Sequence, residues 1–293
     1  MSDAVEAGAL HAPILAWYER NARDLPWRRP DTTAWGVLVS EVMLQQTPVT
    51  RVLPVYEAWV ARWATPSALA EEPVGEAIRA WGRLGYPRRA VRLHAAASAI
   101  AERHGGLVPE EPDVLRRLPG VGEYTAAAVA AFAHGRRVSV LDTNVRRVLS
   151  RMSTAEAVPP THLTAAERQL AERLLPLDEA TAARWSVAVM ELGALLCTSA
   201  APRCAACPVA DRCAWLAAGR PPSRRARRRQ PFEGTDRQAR GRVMGLLRSV
   251  DRPVSEHDLA QTWADDEQRR RAVASLVEDG LVERTEQGYA LPS

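Results

Sequence analysis

The chain has 293 residues, a formal charge of +4 and an ordinary globular composition, 46% apolar and 25% charged. That length suits one large domain or two to three smaller ones. All 39 basic residues are arginine, and the absence of lysine excludes a P-loop, whose motif needs a Gly-Lys pair, and any lysine Schiff-base mechanism. No apolar run approaches the ~18 residues of a membrane span. The opening MSDAVEAGAL carries acids and no basic region, unlike a signal peptide. A soluble, cytoplasmic protein off the membrane is expected.

In chain order, apolar periodicity predicts helices that include Ala34–Leu44, Val52–Trp63, Val91–His104, Glu123–His134, Val145–Met152 and Ala165–Leu175, separated by Pro and Gly. Only Val138–Leu141 reads as a short extended piece, so the body is all-α. Nine arginines against two acids between Arg220 and Arg242 give a local charge of +7. That stretch reads equally well as a solvated linker and as a polyanion-binding arm. After it, Val243, Met244, Leu246, Leu247 and Val250 mark an amphipathic helix, and Ser255 with Asp258 forms a capping box before a second. A third helix runs from Asp266 to Glu278 and stops at Gly280. The pieces Leu281–Thr285 and Tyr289–Leu291 then read as a hairpin. Three helices and a hairpin predict a winged-helix-like domain at 235–293.

Four groups of residues carry chemistry. Cys197, Cys204, Cys207 and Cys213 are spaced C-x6-C-x2-C-x5-C. In a cytosolic chain such a set favours metal binding over disulfides, and one close pair flanked by singles favours an iron–sulfur cluster over zinc. Leu118-Pro119-Gly120-Val121-Gly122 lies between two helical stretches. It reads either as a plain inter-helix turn or as a phosphate-binding helix N-terminus. Asp142 stands at the N-cap of the helix that follows Val138–Leu141, a place that favours an ionised carboxylate. Glu41 shares a helix face with Val37, Leu38, Leu44 and Gln45 and has no arginine there. A carboxyl on an apolar stripe should titrate high, which suits a general acid. Together Glu41 and Asp142 form an acid and a carboxylate in contrasting environments.

The LPGVG hairpin, the aspartate about twenty residues later and the cysteine loop together resemble the helix-hairpin-helix base-excision glycosylases of the endonuclease III superfamily. Leu25-Pro26-Trp27-Arg28, Ser40 to Thr47 (SEVMLQQT) and Gly85-Tyr86 resemble its A/G-specific adenine glycosylase (MutY) branch. The resemblance covers roughly residues 12–217. It implies a two-lobed core at 1–217, with a central helical lobe at about 30–135 and an iron–sulfur lobe from 1–29 and 136–217. A basic linker at 218–234 and the domain at 235–293 follow. It also implies a flipped adenine held between the lobes, with Glu41 protonating the purine and Asp142 stabilising the sugar cation, in the two-carboxylate manner of glycoside hydrolysis. Asn144 supports that carboxylate, and Tyr124 lines the same site. Trp27, Arg28 and Glu191 surround the base, Gln46 and Tyr86 wedge into the stack, and Gly120, Val121 and Gly122 grip the DNA backbone. The resemblance further implies one [4Fe–4S] cluster held by the four cysteines.

Two departures stand out. Thr143 replaces the glycine often found after the catalytic aspartate, and the 59 C-terminal residues are too few for the Nudix-like domain with which many members read 8-oxoguanine. The expected activity is monofunctional removal of adenine opposite 8-oxoguanine or guanine, by a monomer acting on double-stranded DNA. Tyr124 stands where bifunctional relatives carry a lysine. A thymine- or uracil-mismatch glycosylase of the same superfamily is the alternative enzyme, and a non-catalytic iron–sulfur DNA sensor the alternative binding protein. A single-turnover assay of base release on mismatched duplexes separates the three.

Overall fold

The structure, a computed structural model, describes residues 2–223 and 232–293. Residues 224–231 of the basic stretch expected as a linker lie outside the described residues. The chain divides into two compact units, one of Met1–Val37, Glu110–Asp113 and Gly122–Arg227, the other of Leu38–Pro109, Val114–Val121 and Arg228–Ser293. Helix α1 (Ser2–Asn21) opens the first, and α2 (Ala34–Leu44) runs from the first into the second.

The second unit continues with α3 (Val49–Arg62), α4 (Pro66–Ala70), α5 (Val74–Trp81) and α6 (Arg88–His104). Thr65 caps α4 by accepting the Ala68 N–H, and Gly105, at φ 59°, lets the chain leave α6 through a left-handed turn. Trp59, Trp63 and Trp81 are buried and meet edge to face, with centroids 4.7 and 5.8 Å apart. A short α7 (Pro112–Leu115) precedes the hairpin residues.

The first unit resumes with α8 (Glu123–His134), α9 (Thr143–Thr154), α10 (Ala165–Leu174), α11 (Glu179–Leu195) and the short α12 (Ala214–Ala217). Its core is Ile14 and Trp17 of α1 packed with Val148, Leu149, Trp185, Val189 and Leu192. A full capping box between Thr164 and Glu167 starts α10, and Asp178 caps α11. Gly193 of α11 is required by packing: a Cβ there would meet the Asn144 Cβ at 2.8 Å. Val138–Leu141 forms no strand.

The C-terminal residues of the second unit form α13 (Asp236–Arg248), α14 (Glu256–Ala260) and α15 (Asp266–Glu278). An antiparallel hairpin follows, β1 (Glu283–Thr285) with β2 (Gly288–Ala290), and Val254 adds a bridge to Tyr289. The capping box at Ser255 and Asp258 is formed. Among the described residues β1 and β2 are the only strands, so the chain is all-α with a small C-terminal hairpin. This C-terminal part is bonded to the helical part of its own unit. Arg79 Nη1 donates to the carbonyls of Arg248 (2.7 Å) and Val250 (3.0 Å), Arg248 Nε donates to Ile78 O, and Gly75 N donates to Pro292 O. No helix is long and apolar enough to cross a membrane among the described residues.

Candidate functional site

Glu41 lies on α2, only 5% exposed, next to the buried Ser40, Val42 and Met43. The end of that helix is held by Arg89, which the sequence reading did not single out. Its Nη1 donates to the carbonyls of Val42 (2.9 Å), Met43 (2.9 Å) and Gln45 (2.6 Å), and its Nη2 to Thr47 Oγ1 (2.9 Å) and Gly85 O (3.0 Å). One cation thus satisfies the carbonyls that a helix C-terminus leaves open and fixes two loops at once. Those loops carry Gln46 (φ 55°) and Tyr86 (φ 48°), both in left-handed conformation. Such backbone costs of order 1 kcal/mol or more and persists only where the surroundings impose it. Burial lowers the Arg89 pKa to about 10, which leaves it charged at neutral pH. Its guanidinium also lies 5.6 Å from the centroid of the Tyr86 ring, and Tyr86 is 51% exposed. The structure therefore brings Gln46 and Tyr86 to one place.

In the hairpin, Gly120 has φ +76°, and an added Cβ would lie 2.7 Å from the Arg92 Cβ. Val121 is buried and donates its N–H to Leu118 O. Gly122 is the N-cap of α8 and has no side chain to cap it.

In the first unit Asp142 caps α9 as the sequence predicts. Its Oδ1 accepts the Val145 N–H at 2.6 Å and its Oδ2 accepts Asn144 Nδ2 at 2.7 Å. Burial acts against the cap, however. Burial raises the Asp142 pKa, and the bonds from Val145 and Asn144 and the charge of Arg147 only partly offset it. The relay continues: Arg147 Nη2 donates to Asn144 Oδ1 (2.8 Å) and to Gly193 O (2.7 Å), and its Nε donates to Cys197 O (2.7 Å). Asp142 is thereby tied through Asn144 and Arg147 to the cysteine loop. Tyr124 is half-buried against the small cluster of Ala127, Ala128, Ala131 and Val140.

Trp27 and Arg28 lie in a short 3-10 turn, Pro26–Arg28, and meet the Glu191 region of α11 through Arg28. Glu191 is fully buried and takes both Nε (2.7 Å) and Nη2 (2.6 Å) of Arg23 as well as Arg28 Nη2 (2.9 Å). Burial pushes its carboxyl up, but the arginines outweigh this and bring the pKa to about 2. Glu191 therefore anchors Arg28 as a permanent anion. The other terminal nitrogen, Arg28 Nη1, is buried without an acceptor, an unsatisfied donor at a position read from the sequence as base-binding.

The four cysteines are not disulfide-bonded. All four line one cavity, together with Val148, Arg151, Leu192 and Trp215. The 3-10 turns Cys204–Ala206 and Ala210–Arg212 shape the loop. Arg151 Nη1 donates to Cys197 Sγ at 3.3 Å and its guanidinium stacks 4.5 Å from the Trp215 ring. Burial raises the Cys197 pKa and lifts that of Cys207 to about 11. The thiols share a cavity, but among the described residues no three or more His, Cys, Asp or Glu side chains stand in a metal-binding arrangement.

Comparison with known proteins decides the family. The description "HhH-GPD superfamily base excision DNA repair protein" matches residues 39–174. An adenine DNA glycosylase of Mycobacterium tuberculosis is 51% identical over 288 residues, covering 95% of this chain and 92% of its own length. The chain belongs to the adenine DNA glycosylases. A second such glycosylase, from Mycolicibacterium smegmatis, is 50% identical over 94% of this chain and 93% of its own. A solved thermostable thymine-DNA glycosylase superposes with a TM-score of 0.65 at 26% identity, over 72% of this chain and 97% of that one. The mycobacterial adenine DNA glycosylases are thus alike over nearly the whole chain, whereas the solved thymine-DNA glycosylase matches less than three quarters of it.

Proposed function

We propose that this chain removes adenine mispaired with 8-oxoguanine or guanine in double-stranded DNA, breaking the N-glycosidic bond and leaving an intact strand with an abasic site. The match to adenine DNA glycosylase over 95% of the chain carries this reading. Glu41 delivers a proton to a ring nitrogen of the flipped purine, so the electron pair of the breaking bond leaves on a neutral base. Asp142, its two oxygens fixed by Val145 and Asn144, stabilises the sugar cation until water adds to it. The unpaired Arg28 Nη1 supports a contact to an acceptor nitrogen of the base, with Trp27 beside it and Glu191 holding the guanidinium in place. Tyr124 lines the site. Gln46 and Tyr86, on loops that Arg89 braces, fill the space vacated by the nucleotide, and Gly120, Val121 and Gly122 approach the phosphates.

One [4Fe–4S] cluster on the four cysteines is supported by their lining a single cavity, by the thiols' freedom from disulfides and by Arg151, which donates to Cys197 Sγ and would offset thiolate charge. Bound there, the cluster supplies a fixed anionic pin for the loop, which Arg147 connects to Asn144 and Asp142. Four irons per chain and absorption near ~400 nm are expected, and one zinc without iron contradicts the assignment. The C-terminal residues 235–293 fit a winged-helix-like module, three helices and a hairpin closed by the Val254–Tyr289 bridge.

The reaction is tested by following one A:8-oxoguanine duplex. Free adenine should appear while the strand stays whole until alkali is added. A borohydride-trapped adduct, or nicks forming as fast as base is lost, contradicts it, because the chain has no lysine amine to attack the sugar.

A further inference from the structure

A cleft of about 1300 Å³ runs between the loops of Gln46 and Tyr86 and helix α13 of the C-terminal part. Nine arginines line it, and no Asp or Glu does. At least five of the nine are engaged in the fold. Arg89 and Arg248 donate to backbone carbonyls, and Arg88 and Arg240 share Asp279. Arg51, which donates to Arg83 O, stands with Arg83 and Arg92 on one wall, and Arg237, 5.9 Å from the Phe232 ring centroid, stands with Arg242 on the other. A wall of arginines without a carboxylate is costly to keep together unless an anion enters it.

Helix α13 presents a particular face to this cleft. Arg237, Gly241 and Gly245 recur every four residues and line it, while Ala239, Val243 and Leu247 are buried away from it. Glycine inside a helix costs about 1 kcal/mol relative to alanine. Neither glycine is forced by packing, because a Cβ at either would meet nothing within 4 Å. Two bare turns between arginines suit the close approach of another backbone. Exposed aromatics, Tyr86 (51%) and Phe232 (54%), border the same cleft, the mixture of rings and guanidinium groups that nucleic-acid strands occupy.

We propose that α13 is a DNA-binding wall, with Arg237 and Arg242 gripping phosphates of the strand that passes Gln46 and Tyr86, and with Gly241 and Gly245 admitting its backbone. The C-terminal part thus engages DNA through its first helix. The first turn of its third, α15, holds Asp266, which is tied to Arg269 and Arg270 and would repel phosphate. The contacts fall on the backbone, so they add affinity without choosing the opposite base. This proposal rests on the DNA-repair reading above.

The test uses the full-length protein and duplexes carrying a tetrahydrofuran abasic analogue opposite guanine or 8-oxoguanine, which bind without turnover. Arg237→Gln and Arg242→Gln should each weaken both duplexes equally, by ~8-fold at 0.1 M salt, and flatten the log Kd against log salt slope by about 0.9. The Gly241→Leu/Gly245→Leu double variant should melt no lower than the parent, since leucine favours helix, yet bind at least ~10-fold more weakly. Unchanged affinity and salt slope in the arginine variants, or unchanged affinity in the folded leucine variant, overturns the proposal. A loss confined to one opposite base also overturns it. Neither duplex contains an excisable adenine, so a parent that releases thymine instead of adenine fails the proposed function and leaves this result standing.

Discussion

Replacing Arg89 by methionine should cost the protein about 4 kcal/mol. The guanidinium serves five acceptors in Val42, Met43, Gln45, Thr47 and Gly85. Hydrogen bonds to a charged donor contribute roughly 1.5 kcal/mol each at the low end, about 7 kcal/mol in total. Lowering the pKa from 12.5 to about 10 by burial corresponds to roughly 3 kcal/mol of lost solvation, which methionine recovers. The difference, about 4 kcal/mol, agrees with the 3–5 kcal/mol typical when one side of a buried charged arrangement is deleted. Urea unfolding of parent and variant measures it. The loss should be flat between about pH 6 and 9, because the guanidinium stays protonated in the fold until pH approaches 10 and in the unfolded chain beyond that. Arg89→Lys should recover only part, since three donors on a point charge cannot serve five acceptors. A loss below about 1 kcal/mol for Arg89→Met would refute the reasoning and release Gln46 and Tyr86 from this brace.

Three further substitutions probe the carboxylates. Glu41→Gln should slow single-turnover base release by ~10²–10⁴ while leaving duplex binding nearly intact, as expected from losing a general acid. Asp142→Asn should be similarly slow, yet the folded protein should be no less stable at neutral pH. With its folded pKa raised, Asp142 favours folding at low pH and costs stability once ionised, and asparagine keeps the cap without that cost. A clear drop in Tm would contradict this. Asn144→Ala removes a bond that lowers the Asp142 pKa, so the acid limb of the single-turnover pH profile should move to higher pH. Movement to lower pH would show that Asn144 does not hold Asp142.

Local signals read well from the sequence. Helices at Ala34–Leu44 and Glu123–His134 fall where periodicity puts them, and the box at Ser255 and Asp258 is formed. These depend on neighbours within one or two turns. The extended piece at Val138–Leu141 lies outside any helix and joins no strand pair among the described residues, because β pairing needs a partner that a short apolar run cannot supply alone. The N-cap position of Asp142 was legible, but its titration was not, since burial is a property of the packed helices. Arg89 was invisible for the same reason: four of its five acceptors lie more than forty residues earlier. Glu191 likewise looked like a residue beside the base, and its commitment to Arg23 and Arg28 emerges only when α11 meets the chain more than 160 positions upstream.

The most direct test of the central claim is single-turnover base release from a panel of A:8-oxoguanine, A:G, A:T, T:G and U:G duplexes, with the freed base identified by mass. Adenine released from the first two, with the other three largely spared, is the predicted result. Thymine or uracil released while adenine stays bound to its sugar would contradict it.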